Sequence, residues 1–126
     1  MTSLEVTLAI VASVFLVMGS AEGAMTTTTP FVLAASGEIV ECGVVNAGTT
    51  IRTVRIQILR AFDGHILNDT GTVPVPIAAG GAFGIEVVNP TDEVYCRFVA
   101  SASTMHGSLN VRSNATFVDR LVLPAR

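Results

Sequence analysis

The chain has 126 residues, of which 50% are hydrophobic and only 13% charged, with no lysine and a formal net charge of −3. A body of this size supports one domain around one core. The weak charge leaves no electrostatic footprint for nucleic acid or for an anionic membrane surface.

Residues 6–18, Val-Thr-Leu-Ala-Ile-Val-Ala-Ser-Val-Phe-Leu-Val-Met, form one uncharged apolar run, and the small residues Gly19, Ser20, Ala21, Gly23 and Ala24 follow. That order is expected of an export signal helix over residues 1–24, cleaved between Ala21 and Ala24. The stretch before the run carries Glu5 where a basic residue is usual. An uncleaved anchor would need roughly 20 apolar residues, and this run reaches that length only by recruiting Gly19 to Ala24. A lipoprotein would need a cysteine just after the run, whereas the first is Cys42. A pilin-type helix would be stopped at once by Thr26 to Pro30. Once processed, the chain is expected to leave the membrane and to sit in the periplasm, on the cell surface or outside the cell. Loss of Glu5 and Glu22 brings the remainder close to neutrality, so little colloidal repulsion opposes self-association.

Residues 25–30 read as a Thr-rich linker and residues 31–126 as the folded domain. Val, Ile and Thr are abundant there, which disfavours helices and suits half-buried pleated strands. Runs of period two recur between turn residues. Phe31–Ala35 is the first expected strand. Glu38–Asn46 follows, with Val40, Cys42 and Val44 on one face, and Asn46-Ala-Gly48 ends it. Ile51–Phe62 turns Val54, Ile56 and Ile58 one way and Arg55 and Gln57 the other. Asp63-Gly64 is a hairpin signal leading into His65–Asn68. Pro74 and Pro76 make Thr70–Pro76 a crossing or an edge. After Gly80-Gly81, Ala82–Asn89 places Phe83, Ile85 and Val87 on one face and Glu86 opposite. Val94–Ala100 puts Val94, Cys96 and Phe98 inside, with Tyr95, Arg97 and Val99 outside. Ser101–Gly107 reads as a loop, Ser108–Arg112 as a strand, and Ala115–Leu123 as the last strand. Seven or eight such strands predict an all-β, antiparallel sandwich.

Cys42 and Cys96 both fall at inward positions, and an even pair in an exported protein reads as a disulfide. Two separate buried thiols are the alternative. The segments Cys42-Gly-Val-Val-Asn-Ala-Gly48, Asp63-Gly64 after a strand, Tyr95-Cys96-Arg97-Phe98 and Leu121-Val-Leu-Pro-Ala-Arg126 resemble a group of small exported bacterial domains of unknown function. The resemblance covers about residues 31–126 and implies an immunoglobulin-like sandwich with a Cys on each of two core strands. It implies no activity. Tyr95 is adjacent to Cys96, where an immunoglobulin domain has Tyr two residues before it, and the core Trp of that fold is missing.

The chemistry of catalysis is hard to assemble from this chain. His65 and His106 lie in no nucleophile–base–acid arrangement, and there is no Gly-x-Ser-x-Gly elbow. His106-Gly-Ser108 reads as a solvated loop and His65 as a strand-edge residue. Two His and two distant Cys give no metal-ligand spacing, Met105-His106 is only a fragment of a copper site, and Asp92-Glu93 is a single acidic pair rather than a calcium cluster. Gly80, Gly81 and Gly84 lack the Lys and following helix of a phosphate cradle. No cofactor is expected. Asp119, in an apolar strand, is expected to pair with Arg112 or Arg120. Arg55, Arg97 and Arg112 are expected to pair across strands with Glu41 and Glu86. Asn68-Asp-Thr70 and Asn114-Ala-Thr116 are glycosylation sequons that matter only in a eukaryotic secretory host. The expected function is a non-enzymatic, structural or binding role outside the cytoplasm, through a protein or cell-surface partner. The second reading is a subunit of a surface fibre, with the arm at residues 25–35 added to a neighbour's sheet edge.

Overall fold

The computed structural model describes residues 24–126; the signal expectation therefore lies, apart from Ala24, outside the described residues. Among the described residues nine strands run in the order β1 Met25–Thr28, β2 Glu38–Asn46, β3 Arg52–Arg60, β4 Ile66–Asp69, β5 Val75–Ile77, β6 Ala82–Val88, β7 Val94–Ala100, β8 Met105–Ser113 and β9 Asp119–Pro124. They form two antiparallel sheets. One has the order β1-β7-β3-β4, with β5 also pairing β3, at Arg52–Val54; the other has the order β6-β2-β8-β9.

The inward residues meet between the sheets. Val54, Ile56, Ile58, Cys96 and Phe98 from the five-stranded sheet pack with Val40, Cys42, Val44, Leu109 and Val111 from the four-stranded one. Cys42 on β2 and Cys96 on β7 form a disulfide from sheet to sheet, with their Cα atoms 5.7 Å apart. Gly107 is required beside this core: a Cβ there would lie 2.6 Å from the Phe98 ring.

Asn46 closes the loop that β2 enters. Its buried amide donates to the carbonyls of Thr50 at 2.9 Å and Ile77 at 3.0 Å, while its Oδ1 accepts from the Gly48 N–H at 3.0 Å. All three of those backbone groups find partners in one side chain, which is why the Asn-Ala-Gly turn holds the end of β5 against the end of β2.

Several sequence expectations need correction. The Thr-rich stretch is not a tether: Met25–Thr28 pairs with Arg97–Ala100 of β7, and Thr29 is buried, accepting the Cys96 N–H on its Oγ1 at 3.0 Å. Threonine suits both a solvated arm and a strand, and the open edge of β7 decides between them. Conversely, Phe31–Ala35 forms no strand. Only Val32 bridges, to Val94, because Pro30 brings no N–H and a turn begins at Ala35, whose N–H donates to the Glu38 carboxylate at 2.7 Å. Similarly, β9 starts at Asp119 rather than Ala115. The Ser113 hydroxyl accepts the N–H groups of Ala115 and Thr116, and Phe117 adopts φ 57°, which together bend the chain.

The sandwich is fastened on both flanks. Thr28 and Arg126 exchange backbone hydrogen bonds of 3.2 and 3.0 Å, joining β1 to the end of the chain after β9. On the other flank the Asn68 amide donates to the Glu86 carbonyl at 2.8 Å, tying β4 to β6.

Candidate functional site

Along β7 the even positions are buried, so Tyr95, Arg97 and Val99 face outward on the five-stranded sheet. Their neighbours follow from register: Leu59 beside Tyr95, Gln57 beside Arg97 and Arg55 beside Val99 on β3, with Asp69 of β4 beside Gln57. This outer face has two halves of different chemistry.

The polar half is a continuous hydrogen-bonded chain. Arg55 grips Asp69 through both carboxylate oxygens, at 3.1 and 2.7 Å. The Gln57 amide donates to the same carboxylate at 3.2 Å, and its Oε1 accepts Arg97 Nε at 2.8 Å. Gln57 is only 3% exposed, so it is a fixed spacer between an anion and a cation. The Arg55 guanidinium, foremost, holds the Asp69 carboxyl well below the usual carboxylate range.

The apolar half lies toward the start of β7. The ladder continues past the strand: the Ala61 N–H donates to the Glu93 carbonyl at 2.8 Å, and Val32 exchanges two 2.9 Å bonds with Val94. Phe31 is thereby laid over Tyr95, with ring centroids 5.3 Å apart and planes tilted by 50°. Phe31, Leu33 and Phe62 remain 60%, 59% and 74% exposed. A cleft of about 330 Å³ is lined by Phe31, Ala61, Phe62, Asp92 and Glu93. Arg60 organises its rim, with its guanidinium 4.7 Å over the Phe62 ring, 2.6 Å from the Asp63 carboxylate and 3.8 Å from that of Asp92. That hydrogen bond to Arg60 is the first cause of an Asp63 pKa lowered to about 2. Among the described residues, neither Glu93 nor Arg97 has an oppositely charged partner within ion-pair distance.

The residues singled out from sequence are scattered. His65 follows the Asp63-Gly64 turn, and its N–H donates to Asp63 Oδ1 at 3.0 Å. His106 belongs to the other sheet, opposite Val45 in β8, so the segment read as a loop is a strand from Met105 onward. Asp92 and Glu93 do meet the cleft. Gly80 and Gly81 make the turn before β6, the Gly80 N–H donating to the Asn46 carbonyl at 2.8 Å. Gly84 sits opposite Gly43 in the sheet. Among the described residues no group of three or more His, Cys, Asp or Glu is placed to hold a metal ion.

The ion pairs are partly those expected. Arg112 pairs with Glu41 at 3.2 Å and with Glu86 at 2.8 Å. Arg55 instead goes to Asp69, and Arg97 to Gln57. Asp119 is opposite Arg112 in register but forms no ion pair with it, because Arg112 is taken by its two glutamates. Arg120 reaches back to Glu38 at 2.8 Å, which holds the Glu38 carboxyl below its ordinary range. Sequence reasoning missed Phe31, Leu33 and Phe62 as surface residues. The available signal was their position beside Pro30 and Asp63-Gly64, where the strand pattern breaks.

Comparison of the chain with family models, with curated proteins and with solved structures finds no match.

Proposed function

We propose that this is an exported, non-enzymatic sandwich module that acts by presenting the outer face of its five-stranded sheet to a protein partner. The observation that carries the reading is the pair Phe31 and Phe62, each more than half exposed and lining one cleft with a charged rim, with exposed Leu33 two residues beyond Phe31. Neighbouring exposed apolar side chains rimmed by polar groups mark interaction surfaces. Export is supported by the apolar run at residues 6–18 and by the buried disulfide, which belongs to oxidising compartments. The separation of His65, just before β4, from His106, on β8 of the other sheet, supports a role without acid–base catalysis. An immunoglobulin-like ancestry draws support from a disulfide joining strands of opposite sheets. Against it stands the step from β7, the strand of the second Cys, to β8, which crosses between sheets, where that fold keeps the second-Cys strand and the one after it in the same sheet. Pairing of Met25–Thr28 within its own chain favours this reading over a fibre that lends the same arm to a neighbour.

A photo-crosslinking residue introduced at Phe62 tests the proposal, with Val122 on the four-stranded sheet as the reference position. In the producing cell, position 62 should yield a discrete protein adduct and position 122 should not. Equal adducts at both, or none at 62, would reject the face.

A further inference from the structure

The two charges left unpaired on the outer face of the five-stranded sheet stand in a particular relation. Tyr95 and Arg97 share the outward face of β7, and Glu93, one residue before the strand, lies where the ladder runs on through the Ala61 N–H to Glu93 carbonyl bond and lines the cleft with Phe31, so the three follow one another at intervals of about 6.7 Å. An acid and a base flank an aromatic residue symmetrically. A two-fold axis lying in the plane of the face, crossing this segment at Tyr95, would set it antiparallel to its own copy. Glu93 of each copy would then oppose Arg97 of the other, which is the self-complementarity an isologous contact requires. The row along that axis is apolar: Phe31 lies over Tyr95, and Leu59, beside Tyr95 in register and itself buried, backs it, so Phe31 and Tyr95 would meet their own copies while the charges pair on either side.

We propose that the partner of this face is a second copy of the chain, docked face to face through Tyr95 with reciprocal Glu93–Arg97 pairs. The proposal rests on the reading of this face as the functional surface. Three features support it. Arg97 is already oriented by Gln57, itself held by Asp69, so little side-chain freedom is lost on pairing. Glu93 lines the cleft beside Phe31 and Phe62, where covering it without a cation would carry the penalty of a buried unpaired charge. The near neutrality of the chain after residues 1–24 adds no general repulsion between copies.

Sedimentation velocity of the protein recovered from an oxidising host, over a dilution series reaching millimolar concentration, tests the idea. Wild type should shift from monomer to dimer with concentration. Glu93→Arg sets four like-charged arginines together, and Arg97→Glu does the same with glutamates; each should weaken the dimer at least tenfold. The combined exchange, Glu93→Arg with Arg97→Glu, should restore it, a result that loss of folding in either single variant would not mimic. Val122→Arg on the opposite sheet should change nothing. A monomer throughout the series, or a dimer indifferent to both reversals, overturns the proposal. A monomer that still captures a different protein from position 62 leaves the face in place and removes only the second copy. Absence of any adduct at position 62 removes both.

Discussion

Single atoms decide the packing at Gly107. Its Cα faces the ring of Phe98, and three ring atoms lie within 2.8 Å of where a Cβ would sit. Phe98 is enclosed by both sheets and the ring has nowhere to move. Gly107→Ala should therefore destabilise by about 1–3 kcal/mol through overpacking. Gly43 provides the contrast, because a Cβ there meets nothing closer than the Phe83 carbonyl at 3.7 Å. Gly43→Ala should be neutral or slightly stabilising, since a strand glycine forgoes both side-chain contact and chain rigidity. Thermal unfolding of the two variants side by side checks the difference; equal midpoints would mean that the Phe98 ring shifts freely.

At the scale of strands, β4 is held to β3 by a charge as well as by its short ladder. The Arg55–Asp69 contact joins a four-residue strand to a nine-residue one. Because the folded carboxyl titrates below its unfolded value, its stabilisation is complete above about pH 4. It is lost as the pH falls toward the depressed folded value. Asp63, lowered to about 2 by Arg60 first and then by the His65 N–H, contributes over the same acid window. Asp69→Asn should narrow its stability gap to wild type between pH 6 and pH 2, measured by urea unfolding; a gap independent of pH would detach Asp69 from the acid response. These strands also show what sequence can and cannot reveal. β2 and β7 are legible to the residue, since one face of each is buried and period two follows directly. The Thr26–Thr29 stretch is not legible, because its fate depends on a β7 edge some 70 positions away. The face around Tyr95 is equally hidden. Phe31 and Phe62 carry the same chemistry as Phe98, and only the bends after Pro30 and before Gly64 leave them outside the core. Gln57 is the reverse case, an outward polar residue buried by its own hydrogen-bonded neighbours.

For the molecule as a whole, the disulfide between residues 54 positions apart restrains the unfolded chain by about 4 kcal/mol on the chain-entropy account. A whole domain is commonly stable by only ~5–15 kcal/mol. The Cys42→Ala/Cys96→Ala variant should consequently unfold at markedly lower denaturant than wild type, and an unchanged midpoint would contradict this. The same bond has a mechanical meaning. When the chain is pulled from its two ends, β1, β8 and β9 lie outside the bridged loop and can be stripped from their sheets. β3 to β6, enclosed between Cys42 and Cys96, cannot pay out. At ~3.4 Å per extended residue the bridge withholds about 180 Å of chain. Single-molecule extension should show that increment only after reduction. Under load the oxidised chain would therefore yield at both ends while its central strands stay within a fixed reach.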